Sequence, residues 1–283
     1  MISIIICSRT QNISENFSEN IKKTIGCDYE LIVIDNSQNQ YSIFEAYNLG
    51  IDKSKGEYLC LMHDDILIHT IGWGGIINTI FRGDNQIGLI GVAGSKIKTK
   101  SPSAWWNCSE GHKAIHIIQH FKDKEKEKWD FGFNNETYTE VVAIDGVFMA
   151  MRKDKRIHFN AKMTGFHNYD LNISFEYKKY GYEIIVTNKI LVEHFSLGNL
   201  NEAWLSSTFK IHTLYQSILP LNCQRHEINK ETEITNAIRF IKESLKYKNN
   251  KVACSVWMQF FYLDPGSKYH IRFWKAIIKN YLK

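Results

Sequence analysis

Along the first third of the chain, apolar residues fall in short unbroken runs, each closed by polar residues. Ile2 to Cys7 gives way to Ser8-Arg9-Thr10, Leu31 to Ile34 to Asp35-Asn36-Ser37, and Tyr58 to Met62 to His63-Asp64-Asp65. Runs of this length, rich in branched residues, read as strands buried on both faces. Between them the period changes. Phe17, Ile21 and Ile25 recur every four positions behind Ser14, a helix-capping residue, and Gly26 suits a left-handed helix end. Ser42 and Glu45 form a capping box for a second helix carrying Ala46, Tyr47 and Ile51, which closes near Lys55-Gly56. Strand, helix, strand, helix, strand predicts a parallel sheet with right-handed crossovers. Ligands bind beyond the carboxyl ends of such strands, and Ser8, Arg9, Asp35, Asp64 and Asp65 stand at those ends.

Further on, Ile87 to Val92 reads as a fourth strand, followed by the segment Gly94 to Asn107 with its Trp105-Trp106 pair. Lys122 to Lys128 is a charge run of the kind found in a solvated helix or loop. Val141 to Ile144 and Val147 to Met151 flank Asp145-Gly146, where the glycine suits a bend or a close backbone approach to a ligand. After Phe166-His167-Asn168-Tyr169-Asp170 a helix is predicted to reach Tyr180 and stop at Gly181. Glu183 to Val186 and Ile190 to Val192 are then short strands leading to His194. From Asn201 the pattern is helical, broken at Pro220 and at Lys248 to Lys251. The expected division is an α/β part, residues 1–198, and a helical extension, residues 199–283.

With 44% hydrophobic and 23% charged residues in 283, the composition excludes collagen-like, coiled-coil and disordered classes. The net charge of +5 is too small to argue for a nucleic-acid partner unless clustered, and it is clustered only at the end. There Lys268, Arg272, Lys275, Lys279 and Lys283 recur at spacings of three and four, with Trp274, Ile277, Ile278, Tyr281 and Leu282 largely elsewhere on the wheel. Such a helix either lies on an anionic membrane surface or packs on the protein with a solvated lysine face. The six cysteines are dispersed with no CxxC pair, which points to reduced thiols rather than a zinc site or a disulfide scaffold. No segment reads as a signal peptide and no run approaches the roughly 20 apolar residues of a span. The expected location is the cytoplasm, peripheral to the inner face of the membrane if the last helix binds lipid.

A strand ending in Ser8-Arg9, a strand ending in Asp35, the run Ala46-Tyr47-Asn48-Leu49-Gly50-Ile51 before Lys55-Gly56-Glu57-Tyr58, and a strand ending in Asp64-Asp65 follow one another. This order resembles the nucleotide-sugar half of GT-A type glycosyltransferases, the large family-2-like group, over about residues 1–198. The resemblance implies a Rossmann-like, mostly parallel sheet flanked by helices. It implies that Asp35 contacts the nucleobase, with Ser8 and Arg9 lining the same pocket; Asp35 could instead form a turn, and Asn36 replaces the family's second acid.

His63-Asp64-Asp65 takes the place of the family's DxD metal motif, with His63 where the first acid stands. A nucleoside diphosphate carries clustered negative charge, and a hard divalent cation fixes it and stabilises it as a leaving group. The resemblance therefore assigns Asp65 to Mn2+ or Mg2+ and Asp64 to the ribose or donor sugar, against the plainer reading of a helix N-terminus. It makes His194 a residue that completes the metal shell or meets the diphosphate, where a core partner is the alternative. It makes Asp170 the base that deprotonates the acceptor hydroxyl, where a helix N-cap is the alternative; Tyr169 and Asn172 depart from the acids usual beside it. Asp145 and Gly146 would lie under donor sugar and acceptor, Trp105 and Trp106 would stack on a sugar ring or pack in the core, and His167 would touch the acceptor.

The implied function is metal-dependent transfer of a sugar from a nucleoside-diphosphate donor, UDP favoured, to a hydroxyl of a glycan or lipid-linked acceptor. Inversion follows if Asp170 is the base, and surface polysaccharide synthesis is the usual setting. Of two rivals, a sugar-phosphate nucleotidylyltransferase needs a glycine-rich loop after the first strand, and Ser8 to Asn16 has no glycine. The other is a catalytically inactive glycan- or partner-binding protein of the same fold.

Overall fold

The computed structural model describes residues 1–198, 200–224 and 226–282, apart from the side chain of Tyr281. Asn199, first residue of the expected extension, and Lys283, last of the cationic stripe, lie outside the described residues.

The first apolar run forms strand β1, Ile2–Ser8. Helix α1, Glu15–Thr24, follows with Ser14 accepting from the Phe17 N–H, and Gly26 turns the chain at φ +67°. Then come β2, Tyr29–Asp35, helix α2, Ile43–Lys53, entered through the full Ser42/Glu45 capping box, and β3, Tyr58–Met62. β1 is central and parallel to both others, with Ile5 opposite Ile32 and Leu61. Ile2, Ile4, Ile5 and Ile6 are all fully buried, so both faces of β1 are covered and its apolar run is unbroken.

Past the third strand the chain departs from the simplest expectation. β4, Ile66–Ile68, leads to helix α3, Trp73–Gly83, then to β5, Ile87–Gly91, and two short strands, β6, Ala93–Ser95, and β7, Ile97–Lys98. A hairpin of β8, Lys113–Gln119, and β9, Glu127–Phe131, takes the end of the charge run into a strand. β10, Tyr138–Val141, β11, Ala143–Ile144, and β12, Phe148–Arg152, surround Asp145-Gly146. Helix α4 is Tyr169–Lys179, β13 Glu183–Thr187 and β14 Val192–His194, so the last strand carries His194 itself rather than stopping before it.

The principal sheet has the order β10-β13-β5-β12-β3-β1-β2. It is mixed: β12 runs antiparallel between β3 and β5, whereas β13 is parallel to β5. The second sheet, β11-β6-β8-β14-β4, packs across the carboxyl edge of the first. Its registers matter for function, because β14 sets His194 opposite Ile66 on β4 and opposite Gln119 on β8.

The C-terminal part holds α5, Glu202–Leu214, capped by Asn201; β15, Leu221–Asn222, paired to β7; α6, Lys230–Lys246; α7, Asn250–Leu263; and α8, Tyr269–Tyr281. Helix α5 joins two cores. Ile211 packs into the large cluster beneath the sheets, and Leu205 into a smaller one with Phe240, Val256, Phe260, Phe273 and Ile277. None of the helices among the described residues is long and apolar enough to cross a membrane.

Candidate active site

A cavity of about 670 Å³ opens at the carboxyl edge of β1 and β3, roofed by the 104–106 segment and by α5. That volume lies in the range of sites that enclose a cofactor-sized ligand. Arg9, Asp64, Asp65, His194, Asp145, Gly146, Trp105, Trp106, His167 and Asp170 all line it. Ser8 and Asp35 do not. Ser8 is fully buried, and its hydroxyl donates to Asp64 Oδ2 at 3.1 Å, so it orients the acid instead of lining the pocket. Asp35 accepts from the Ser37 N–H at 2.9 Å, the turn-forming arrangement, and that bond holds its carboxyl below the usual range.

At the floor, three ligand atoms converge. His63 Nδ1 is 3.4 Å from His194 Nε2 and 3.5 Å from Asp65 Oδ1, and His194 Nε2 is 3.7 Å from the same oxygen. These three residues form the one group of metal-ligating side chains found among the described residues. With edges of 3.4–3.7 Å each atom sits about 2 Å from the common centre, the length of a bond to a first-row divalent cation. His63 thus offers a second imidazole beside the Asp65 carboxylate. The sheets explain the convergence: β14 pairs antiparallel to β4, and the Phe195 N–H donates to the Asp65 carbonyl at 3.1 Å. Glu193 anchors β14 by accepting from His69, His120 and Lys126 at 2.6, 2.6 and 2.7 Å.

The electrostatics suit a cation. Burial alone would raise the Asp65 carboxyl, but hydrogen bonds from His63 and Ser196 and the nearby imidazoles outweigh it and hold the group well below the ordinary range. Burial, and then the neighbouring His63, lower His194 and favour its neutral, ligating form. Its tautomer is set by Gln119, whose Oε1 is 3.0 Å from His194 Nδ1, leaving Nε2 with its lone pair toward the group. His63 is fixed by Tyr169, whose hydroxyl lies 2.5 Å from Nε2.

Asp170 faces the same cavity from the first turn of α4. The N-cap position belongs to Asn168, which has φ +63° and makes no side-chain cap bond, so Asp170 lies past the cap. Burial, and next the Asp145 carboxylate, raise Asp170 to about 7. A base with that value is half ionised near neutral pH. Asp145 is oriented by the Trp105 indole N–H at 3.0 Å and by the Val147 N–H at 2.9 Å. Trp105 is buried, and Trp106, 36% exposed and edge-on to Trp105, lines the same cavity.

At Gly146 the space a side chain would fill is taken by protein. A Cβ there would lie 2.3 Å from the Tyr169 hydroxyl, so the glycine admits Tyr169 and, through it, the position of His63. Asn172 is fully buried and both accepts from the Asn160 N–H and donates to Tyr215 OH, which an ionised acid could not do. His63, Gln119 and Tyr169 were not among the site residues read from sequence. His63 carried a usable signal, since imidazole is itself a ligand at the motif position; Gln119 and Tyr169 carried none.

The sequence profile of the glycosyltransferase-like family matches residues 3–217. A search of curated proteins finds no match. Among solved structures the chain is similar to TarS 1–349 of S. aureus, with TM-score 0.54 and 11% identity over 99% of this chain and 88% of that one. It is also similar to GalNAc-T7 solved with UDP, GalNAc and Mn2+, with TM-score 0.50 and 11% identity over 71% of this chain. The match spans 45% of the GalNAc-T7 chain. At these identities the likeness is one of fold, the GT-A type.

Proposed function

Given that the chain belongs to the glycosyltransferase-like family, we propose that it is a metal-dependent, inverting enzyme that transfers sugar from a nucleoside-diphosphate donor, UDP favoured. The observation that carries the reading is the triangle of His63, Asp65 and His194 lining the same cavity as the Asp170 carboxyl.

Arg9, exposed at the end of β1 and without an ion pair among the described residues, meets the donor's negative charge. Asp64, oriented by Ser8, accepts from the ribose or the donor sugar, and Asp35, one residue before the cavity-lining Asn36, is assigned to the nucleobase. His63, Asp65 and His194 hold a divalent cation, which when bound neutralises the diphosphate as it leaves. Two imidazoles and one carboxylate favour Mn2+ over Mg2+, whose preference is for oxygen alone. Asp170 takes the proton of the attacking hydroxyl, and Asp145 raises its basicity by like-charge proximity. Trp106 and His167 border the acceptor. The acceptor is a glycan or lipid-linked hydroxyl, and the setting is surface polysaccharide synthesis at the cytoplasmic face of a membrane; the six free cysteines support a reducing compartment. In this reading residues 1–198 do the chemistry and residues 199–283 close the cavity and meet the partner.

The inactive reading drew on His63 and Asn172, and both have other accounts: one adds a ligand atom and the other ties α4 to Tyr215. The test is calorimetric binding of UDP, GDP and their sugars with and without Mn2+, in wild type and Asp65→Ala. Metal-dependent binding of one nucleotide, lost in Asp65→Ala, is expected; no metal-dependent binding at millimolar ligand would overturn the donor site.

A further inference from the structure

The charge of this chain is segregated. Residues 250–283 contain six Lys or Arg and a single acid, Asp264, so the other 29 basic and 29 acidic residues balance and the whole +5 excess belongs to the last two helices. In the fold those helices are also where apolar side chains are left uncovered. On α8, Phe273 and Ile277 are buried against α7, while Ile271, Trp274 and Ile278 are 63%, 46% and 57% exposed. On α7, Met258, Phe261 and Tyr262 are likewise exposed. The two sets are continuous: the Trp257 ring lies 5.7 Å from Phe261 and 5.1 Å from Trp274.

The basic residues are arranged around this face. Arg272, Lys275 and Lys279 follow Ile271, Trp274 and Ile278 by one residue each, so a cationic stripe runs beside the apolar one, about 100° around the helix. Lys268, Arg272, Lys275 and Lys279 are exposed and make no ion pair among the described residues. Such side chains let an apolar strip sink into a bilayer interface while their ammonium groups reach the lipid phosphates. We infer that α7 and α8 together form a docking face for an anionic lipid bilayer, with the helices lying in the interface plane. A second copy of the chain is the poorer occupant, because two such faces would bring like charge against like charge.

The face involves none of the cavity residues, so its test is independent of the donor chemistry. The whole 283-residue chain, free of nucleotide and metal, is sedimented with vesicles of phosphatidylcholine alone and of phosphatidylcholine with about one third phosphatidylglycerol. Strong preference for the anionic vesicles is expected, reduced by salt. Lys275→Glu and Lys279→Glu should each weaken partitioning by about fivefold or more, on the scale of one surface charge. Trp274→Ser with Ile278→Ser, which leaves Phe273 and Ile277 in place, should abolish it while circular dichroism and melting stay near wild type. Equal sedimentation with both vesicles, or binding untouched by the double variant, would overturn the proposal. So would a concentration-dependent dimer in light scattering that the double variant removes, since that face would then be a protein interface.

Discussion

Gln119 Oε1 accepts a hydrogen bond from His194 Nδ1 at 3.0 Å, and the amide cannot turn over, because Gln119 Nε2 donates to the backbone carbonyls of His120 and Ser196 at 2.9 and 2.8 Å. Two carbonyls on one side therefore determine which nitrogen of an imidazole on the other carries a proton. A metal ligand needs its lone pair free, and Gln119 is the residue that points it at Asp65 and His63.

Gln119→Leu removes that restraint without touching a ligand. Affinity for Mn2+ is expected to fall by about 10–100-fold, read by calorimetric titration of the metal alone. Unchanged affinity would mean that β14 packing alone orients His194.

Gly146→Ala tests the other imidazole. The added methyl would collide with the Tyr169 hydroxyl at 2.3 Å, and Tyr169 must move off His63 Nε2. Overpacking of this kind costs about 1–3 kcal/mol, so a melting shift of several degrees should accompany weaker Mn2+ binding. Retained binding together with the stability loss would show that the Tyr169 contact is packing alone.

Much of this was legible because burial on both faces writes a strand as an unbroken apolar run. β1, β2 and β3 end where Ser8, Asp35 and Met62 close those runs, and of the acids at these ends Asp64 and Asp65 line the cavity while Asp35 closes a turn. Helix α3 was not legible: it begins after Gly72 in a left-handed conformation with no side-chain cap, and its first turn contains Gly74 and Gly75. The second sheet was lost because β4, β6, β11 and β14 are two or three residues long, too short for any period to register. Its loss hid Gln119. The contact between His63 and Tyr169 joins residues 106 positions apart, and only the fold brings them together. A turn acid such as Asp35 and a pocket acid look alike in sequence, since both follow a strand.

In the proposed cation site the His63 imidazole is expected to set metal preference. His63→Asp exchanges nitrogen for oxygen, so Mg2+ should gain on Mn2+ by about tenfold or more in relative affinity. A fall in affinity for both metals by the same factor would argue that His63 acts through geometry and not through its donor type.

In the proposed reaction Asp170 sets the pH dependence. A base there must be ionised, and with burial and Asp145 raising it to about 7, kcat/KM should fall about tenfold per pH unit below neutrality. Asp170→Asn should lower kcat by about 10²–10⁴-fold while donor binding persists. The same shift has a stability signature of opposite sign to that of an ordinary paired carboxylate. A carboxyl raised in the folded state binds its proton more tightly there than in the unfolded chain, so stability declines as pH rises from about 4 to about 7 and the cost is fully present above that. Asp170→Asn should therefore raise stability at pH 8 by about 2 kcal/mol, allowing for partial solvation, and by far less at pH 4, measured by denaturation in chelator. Equal gains at both pH values would place the benefit in packing, and would leave the Asp170 carboxyl with an ordinary titration and no advantage as a base.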